Sequence, residues 1–542
     1  MKKKLAKRFL SLGLCGAMLM GCASGVSAEE QTGVAATPQE YDFGGVELDI
    51  WMPLLFTSAV TDLNEAEVWK EVEERLNVQL NFISPAKGTE KEAFNLMIAS
   101  GDLPDIIYTG WNTSSGLFTE GGDAYIDNGI LLRLNELVDE YMPNYKWALE
   151  NIVTSDEERK NFYTDNGNIF QILAISPYEE YIYQCISVRD DLFAEAGWEE
   201  LPETIDEYEQ AMLDLKEIGV DYPYYMPTDG IDSETRSGSF VAAYGIGPDF
   251  YQEDGVVKYG PIEDAFKEYL TKMNEWYEMG LIYPDFVAGD EEHRKGLWIS
   301  GETAIMASSC DVAKSWLSNA ESDGTATAGN PPVLNEGGRV QWRQTNYQAR
   351  FPNSAVITTA CENPEAAAAF LDYGYCEEGY MLYNYGFEGL TYELADEKLE
   401  FNGIEYSYGK FNDMIYGEGD ATFYDQLMNY KVHIAPFLRF EHQSHPNLAK
   451  ADNPNMATRE WLTAAGDATL TLPNISLTAS ESEESQRIMD EVEAYQDTTV
   501  AQFIMGQKSL DEFDEYVETM KSLGIETAIE YRQAALERYN AR

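Results

Sequence analysis

The sequence predicts an α/β protein built from at least two lobes. Strand-like and helix-like stretches alternate along the chain, a pattern typical of a mostly parallel, doubly wound sheet. About 500 of the 542 residues follow a polar N-terminal segment, and that length is more than one hydrophobic core usually serves. The order of the elements and the length of the chain therefore favour the same class of fold.

The alternation is clearest in the first predicted elements. Residues 46–50 alternate apolar and polar side chains, as a half-buried strand does, and residues 78–82 repeat the pattern after a predicted helix at 65–76. A third predicted strand, 103–108, follows the next helix. Strand, helix, strand, helix and strand in this order indicate the beginning of a doubly wound sheet.

Helix starts are marked by capping signals along the whole chain. A Ser or Thr followed three residues later by Glu predicts a capping box, and Asn before Pro predicts a cap followed by the first helical residue. These signals are Thr89 with Glu92, Thr204 with Glu207, Ser509 with Glu512, and Asn363 before Pro364.

The N-terminus predicts export and a lipid anchor. Basic residues within 2–8 precede an apolar run at 9–20, which is a secretory signal pattern too short for a membrane span. Residues 19–22 resemble a bacterial lipobox, which implies cleavage before Cys22 and lipid attachment to its thiol. We therefore predict a signal peptide at 1–21 and a flexible tether at 22–40. The alternative is an ordinary secreted protein in which Cys22 occurs by chance.

Charge limits the classes of partner. The chain has 37 basic and 95 acidic residues and a formal net charge of −58. Nucleic acid and anionic lipid headgroups need basic surfaces, so neither is expected as a partner. The charge favours solubility but does not identify a ligand.

The sequence contains none of the motifs that signal an enzyme or a metal site. We find no nucleophile elbow, phosphate-binding loop or zinc-protease motif, and His442 and His445 alone are a weak metal signal. We therefore expect no catalytic residues, no cofactor and no metal, although counting carboxylates does not exclude a glycosidase pair. Four cysteines of the mature chain lack metal-type spacing; we predict free, buried thiols and leave disulfide pairing open. They are Cys185, Cys310, Cys361 and Cys376.

Several segments resemble one family. Residues 94–107, which contain the run Ala-Ser-Gly-Asp-Leu-Pro-Asp-Ile, resemble a signature of the extracellular solute-binding proteins of family 1. Residues 301–306 resemble a strand of that family, and residues 503–516 resemble its closing helices. Residues 385–389 and 472–475 resemble its large lipoprotein subgroup, found beside oligosaccharide permeases.

This resemblance implies the fold and the role of the protein. It implies a two-lobe Venus-flytrap fold of the type II periplasmic-binding-protein class, similar to that of maltose-binding protein, which closes by hinge motion around its ligand. The implied protein is a monomer on the outer face of the membrane that binds an oligosaccharide and delivers it to an ABC permease. The implied boundaries are 41–185 and 355–455 for the first lobe, and 186–354 and 456–542 for the second.

Candidate ligand residues are selected by position and chemistry. Trp and Tyr stack on the apolar faces of sugars, and amide and carboxylate groups bind the hydroxyls. Ligands of open α/β sheets lie at the carboxyl ends of strands. Trp51 follows the first predicted strand, and Trp111 and Asn112 follow the strand that ends near 108. The alternative for both tryptophans is packing under a loop.

Further candidates are predicted later in the chain. Asp311 follows the predicted strand at 301–306 and either binds hydroxyls or caps a helix. The remaining candidates either precede the predicted strand at 355–358 or lie in a glycine-flanked turn. They are Trp342, Arg343, Tyr347, Tyr385 and Glu388.

Two other classes of function stay open from the sequence. One is a surface glycosidase, and the other is a sensor or adhesin whose partner is not a permease. Among binding proteins, a ligand such as a peptide or another small solute also stays open.

Overall fold

The computed structural model of the chain describes residues 41–54, 60–109, 117–177, 184–231, 240–335, 348–396, 398–401, 404–411, 429–432, 435–439 and 470–542. The predicted signal peptide, the predicted tether and Cys22 lie outside these ranges. Within them, no helix is both long enough and apolar enough to pass through a bilayer.

The strands are short and distributed along most of the described chain. They are β1 (Val46–Trp51), β2 (Val78–Ile83), β3 (Ile106–Thr109), β4 (Ile172–Ile175), β5 (Gln184–Val188), β6 (Tyr224–Tyr225), β7 (Phe250–Glu253), β8 (Val256–Tyr259), β9 (Ile305–Ser309), β10 (Thr327–Ala328), β11 (Ala349–Ile357), β12 (Tyr392–Leu394), β13 (Leu399–Phe401), β14 (Ile404–Tyr406) and β15 (Gly409–Phe411).

Helices connect the strands and form the last described segment. They are α1 (Glu67–Leu76), α2 (Glu90–Ser100), α3 (Gly122–Asp127), α4 (Asn135–Tyr141), α5 (Pro143–Asn151), α6 (Asp156–Lys160), α7 (Asp190–Glu195), α8 (Ile205–Glu217), α9 (Asp264–Glu278), α10 (Glu291–Ser300), α11 (Cys310–Asn319), α12 (Pro364–Asp372), α13 (Glu377–Tyr385), α14 (Ala479–Ile504), α15 (Phe513–Leu523) and α16 (Ile525–Asn540).

The first lobe is built on a five-stranded sheet with the order β2-β1-β3-β11-β4. β1 pairs in parallel with β2 and β3, whereas β11 runs antiparallel to both β3 and β4. β2 buries every second residue, as the alternating pattern predicts. The sheet is therefore mostly parallel, and β11 enters it from a distant part of the chain.

The second lobe is built on a four-stranded sheet with the order β10-β5-β9-β6. β5 runs antiparallel to β9 and β10, and β6 runs parallel to β9. Apolar residues of α9 and α14 pack against this sheet in one buried cluster, separate from the cluster that covers the first sheet. Two sheets, each with its own buried clusters, confirm the prediction of an α/β protein with at least two lobes.

The described residues place three passages of the chain between the lobes. The first passage lies between Ile175 and Gln184, the second between Ala328 and Ala349, and the third between Leu438 and Leu470. Ala349 already pairs with Ile175 in the first sheet, ahead of the predicted return at 355. The boundaries of the four lobe segments stay predictions, because residues 178–183, 336–347 and 440–469, within these intervals, are not described.

Two of the three predicted capping boxes form, and the third does not. Thr204 accepts a hydrogen bond from the backbone of Glu207, which accepts one in return, and Ser509 and Glu512 do the same. The prediction for Thr89 is wrong, because its hydroxyl donates to the carbonyl of Ala86 instead. Asn363 also makes no side-chain cap, although Pro364 does occupy the first helical position.

The cysteine prediction is confirmed where the side chains are described. Cys361 and Cys376 are free and buried in the first lobe. Burial raises the pKa of both thiols to about 12, which keeps them protonated at neutral pH. They are therefore unreactive core residues.

Candidate functional site

The carboxyl ends of several strands meet at the junction of the two lobes. β4 leads directly into the first passage, and β3, which lies on the other side of β11, ends at Thr109. In the second lobe, the last residue of β9, Ser309, pairs with Gln184, the first residue after that passage. This edge is where a ligand of an open α/β sheet is expected.

Three predicted ligand residues belong to these strand ends. Trp51 is the last residue of β1, but its side chain is only 4% exposed and packs against Phe94. Trp111 and Asn112 follow β3 and lie outside the described residues. Asp311 is the second residue of α11, directly beyond β9, and its side chain is not described. The backbone therefore puts Asp311 at the junction.

The other predicted residues are scattered. Tyr385 is fully buried in the core of the first lobe, where its ring lies 5.6 Å from that of Tyr392. Glu388 is exposed in a turn between Gly386 and Gly389, both of which have positive φ. Trp342, Arg343 and Tyr347 lie outside the described residues. The structure does not bring the side chains of Trp51, Tyr385 and Glu388 together, and all the ligand assignments stay predictions.

A cavity of about 310 Å³ lies beside the carboxyl end of β3, with walls from both lobes. The side chains and backbone that line it come from distant parts of the sequence. They belong to Thr109, Phe118, Thr119, Gly121, Gly122, Asn161, Tyr163, Thr164, Phe170, Gln171, Ser354, Asn474, Ile475, Ser476, Leu477, Ser482 and Arg542.

The cavity has a polar floor and an aromatic wall. The hydroxyls of Thr109 and Ser354 lie 2.6 Å apart in one hydrogen bond between β3 and β11. Phe118 packs edge-on against Phe94 and Tyr125, with ring centroids 5.3 and 5.4 Å away, and 6.1 Å from Phe170. These contacts hold the aromatic wall rigid.

The opposite wall comes from the chain after the third passage. Asn474, Ser476 and Leu477 line the cavity, and Ile475 also packs against the core of the second lobe. The cavity therefore spans the junction, and its shape depends on how the two lobes are placed.

An ion-pair network joins the lobes next to the cavity. Arg538 of α16 donates from Nε to Asp165 of the first lobe at 3.0 Å, and Arg542 donates to the same carboxylate at 2.8 Å. Nη2 of Arg538 also donates to the carboxylate of Glu481, at the start of α14, at 2.6 Å. Burial acts to raise the pKa of Glu481, but the hydrogen bonds from Arg538 and Thr478 outweigh it and lower that pKa.

The turn that carries Asp165 is itself held in place. Asp123 accepts hydrogen bonds from the Thr164 hydroxyl at 2.6 Å and from the Asn168 side chain at 2.7 Å. Gly167, with φ of +75°, allows the chain to reverse between them. Asp165 is therefore presented to α16 from a fixed position.

This arrangement can bind a ligand rich in hydroxyl groups. Hydroxyl and amide side chains offer donors and acceptors, and the aromatic wall offers an apolar surface. Among the described residues, no group of His, Cys, Asp and Glu side chains is arranged to hold a metal ion.

Sequence reasoning missed the residues of this cavity. Phe118, Gln171 and Asn474 share no motif, and only the fold brings them together. One signal was available: Arg538 and Arg542 lie four residues apart in a chain with 37 basic and 95 acidic residues, and such rare cations suggest a structural or binding role.

A family model and several curated proteins match the chain. Residues 59–381 match the model for bacterial extracellular solute-binding proteins. Lipoprotein LipO of Bacillus subtilis (strain 168) is 21% identical over 414 residues, which cover 73% of this chain and 75% of that protein. The polygalacturonan/rhamnogalacturonan-binding protein YtcQ of the same organism is 22% identical over 539 residues, 96% of each chain.

A solved structure confirms the class of fold. The alginate-binding protein AlgQ2, in a crystal structure without calcium ion, superposes with a TM-score of 0.68 at 20% identity. The superposition covers 92% of this chain and 99% of that one. At this identity the likeness shows the two-lobe α/β fold alone.

Proposed function

The chain belongs to the bacterial extracellular solute-binding proteins, and from this premise we propose that it captures an oligosaccharide between its lobes and delivers it to an ABC permease. One observation carries the proposal: the cavity beside Thr109 has a polar floor, an aromatic wall and lining from both lobes. Relatives named for binding polygalacturonan and alginate support a carbohydrate as the ligand.

Ligand capture would use residues at the edges of the junction. We propose contacts from Trp111 and Asn112, which continue the chain beyond Thr109, and from Asp311 beyond β9. Trp342, Arg343 and Tyr347 would contribute from the second passage. We leave Trp51, Tyr385 and Glu388 out of this set, because the first two are packed in the first lobe and Glu388 lies in an exposed turn.

The proposal also includes a lipid anchor and a protein that catalyses no reaction. A lipid on Cys22 would hold the protein at the outer face of the cell membrane, and the likeness to a lipoprotein supports this. The protein would bind and release its ligand unchanged. Closure would follow from contacts made with the ligand only in the closed form.

A thermal-shift screen of residues 29–542 against neutral and acidic oligosaccharides, with peptides as controls, tests the proposal. A ligand of the folded state at a hundredfold excess over Kd stabilises it by about 2.7 kcal/mol. We expect a shift with one series of oligosaccharides, which Trp111→Ala abolishes. Trp147→Ala, a half-buried tryptophan on α5, should keep the shift. Shifts with peptides alone would refute the carbohydrate assignment and leave the importer role standing.

A further inference from the structure

The single positive side chain that lines the cavity, among the described residues, is already neutralised by the protein. Arg542 is 6% exposed, and its Nε donates to Asp165 at 2.8 Å. Its Nη2 lies 2.7 Å from the same carboxylate oxygen, and its Nη1 donates to the carbonyls of Lys160 and Tyr163 at 3.2 and 2.9 Å. Its charge is therefore used within the protein and not offered to a ligand.

The neighbouring arginine, Arg538, is also bonded to groups of the protein. Arg538 donates to Asp165 at 3.0 Å, to the two carboxylate oxygens of Glu481 at 3.0 and 2.6 Å, and to the carbonyl of Ser476 at 3.0 Å. These bonds use four of the five N–H groups of Arg538, and they pair its charge with two carboxylates. Both cations near the cavity therefore hold the lobes together.

Acidic side chains are in excess around these arginines. An adjoining cavity of about 290 Å³ is lined by Arg538 and by the carboxylates of Glu120, Asp123, Asp127 and Asp165. The two cavities share Gly121, Gly122, Thr164, Ser476 and Leu477 in their linings, so these acidic residues adjoin the ligand space. A ligand carboxylate entering here would meet repulsion from these carboxylates, while the charges of Arg538 and Arg542 are already paired with Asp165 and Glu481.

The rest of the lining suits an uncharged ligand. Thr119, Gln171, Asn474 and Ser476 carry groups that donate or accept, as the hydroxyls of a sugar do. A carboxylate only accepts, so it would leave the acceptor oxygens of such a lining unmatched.

We propose that this cavity selects an uncharged sugar unit and rejects uronates, the carboxylate-bearing units of the polymers named for YtcQ and AlgQ2. The proposal rests on the proposed function, since it specifies the ligand class of that site. Arg538 and Arg542 would link the two lobes and would not bind an anionic ligand.

Calorimetric titration of residues 29–542 with matched tetrasaccharides tests the proposal. Neutral fructo-, gluco-, galacto- and manno-oligomers are compared with oligogalacturonate and oligoalginate at low and high salt. We expect a neutral series to bind at least a hundredfold more tightly than either uronate, and the residual affinity for uronate to rise with salt. A uronate that binds more tightly than every neutral sugar would overturn the inference and leave carbohydrate capture standing. Binding of no saccharide would overturn both.

A charge variant adds a second readout. Asp165→Asn removes the carboxylate that Arg538 and Arg542 share and takes from Arg542 its acidic partner, so the affinity for uronate relative to the neutral sugar should rise about tenfold. Asp254→Asn, in the exposed hairpin between β7 and β8 of the second lobe, removes the same charge far from the cavity. That control should leave the ratio unchanged. An unchanged ratio in Asp165→Asn, with the fold intact by circular dichroism, would contradict the role assigned to Asp165.

Discussion

Two carboxylates connect distant parts of this chain by different means. Asp372 is fully buried in the first lobe and accepts hydrogen bonds from neutral groups, including the Tyr41 hydroxyl at 2.8 Å. Asp165 lies at the junction of the lobes, with its side chain 20% exposed, and pairs with the guanidinium groups of Arg538 and Arg542. One fixes segments within a lobe, and the other fixes one lobe against the other.

The difference shows which contacts of this fold stay fixed and which can break when the lobes move. A buried carboxylate with neutral donors is costly to disturb, because the donors cannot turn to water. Ion pairs in contact with solvent are worth less, since water and salt replace them readily. A binding protein that opens and closes needs the first kind of contact inside its lobes and the second kind between them.

Removing the buried carboxylate should have the largest effect. Asp372→Asn replaces one acceptor oxygen by an NH2 group that faces the donors of Asn144, whose Nδ2 lies 2.7 Å from the carboxylate. We expect the free energy of unfolding to fall by about 3 kcal/mol, measured by urea denaturation at pH 7.5. Asp102→Asn, an exposed residue of the same lobe, should change it by less than about 0.5 kcal/mol. Equal effects of both substitutions would contradict the account.

The pH dependence of stability tests the role of Asp372 in a second way. Burial raises the pKa of Asp372 to about 6, and the hydrogen bonds it accepts only partly oppose this. Because the folded state binds this proton more tightly than the unfolded state, the contribution of Asp372 to stability should rise as the pH falls from 7.5 to about 4.5. The difference between the wild type and Asp372→Asn should change by up to about 3 kcal/mol over this range. A difference that does not vary with pH would show that Asp372 is not the titrating group.

Local patterns in the sequence predicted the elements of the fold well. The alternation in 46–50 and 78–82 matches β1 and β2, because each is a strand with one face on a core. Thr204 and Thr89 have the same spacing to a Glu, yet only Thr204 has the extended backbone that a cap requires, with ψ of 158° against 12°. The sequence pattern does not contain that backbone angle, which the preceding turn determines.

The site was less predictable than the fold. The sequence placed ligand residues by strand ends, which led to Trp111 and Asp311 but also to Trp51, a residue that packs in the first lobe. The cavity beside Thr109 is closed by Arg542, more than four hundred residues away. Periodicity and short motifs report only on neighbours in sequence, so they cannot identify such a pair.

Weakening the contact between the lobes should have a smaller effect that depends on salt. Arg538→Met keeps the aliphatic stem but removes the bonds to Asp165 and Glu481, and we expect unfolding to become easier by about 1–2 kcal/mol at low salt. The difference should shrink in 0.5 M NaCl, because the pair is partly exposed, whereas that of Asp372→Asn should not. Arg487→Met, which removes an exposed pair with Glu484 on the second lobe alone, should have little effect. If the loss of unfolding free energy in Arg538→Met does not depend on salt, the contact between the lobes is as shielded from solvent as the contacts inside a lobe. Opening the lobes would then require breaking a contact of that kind.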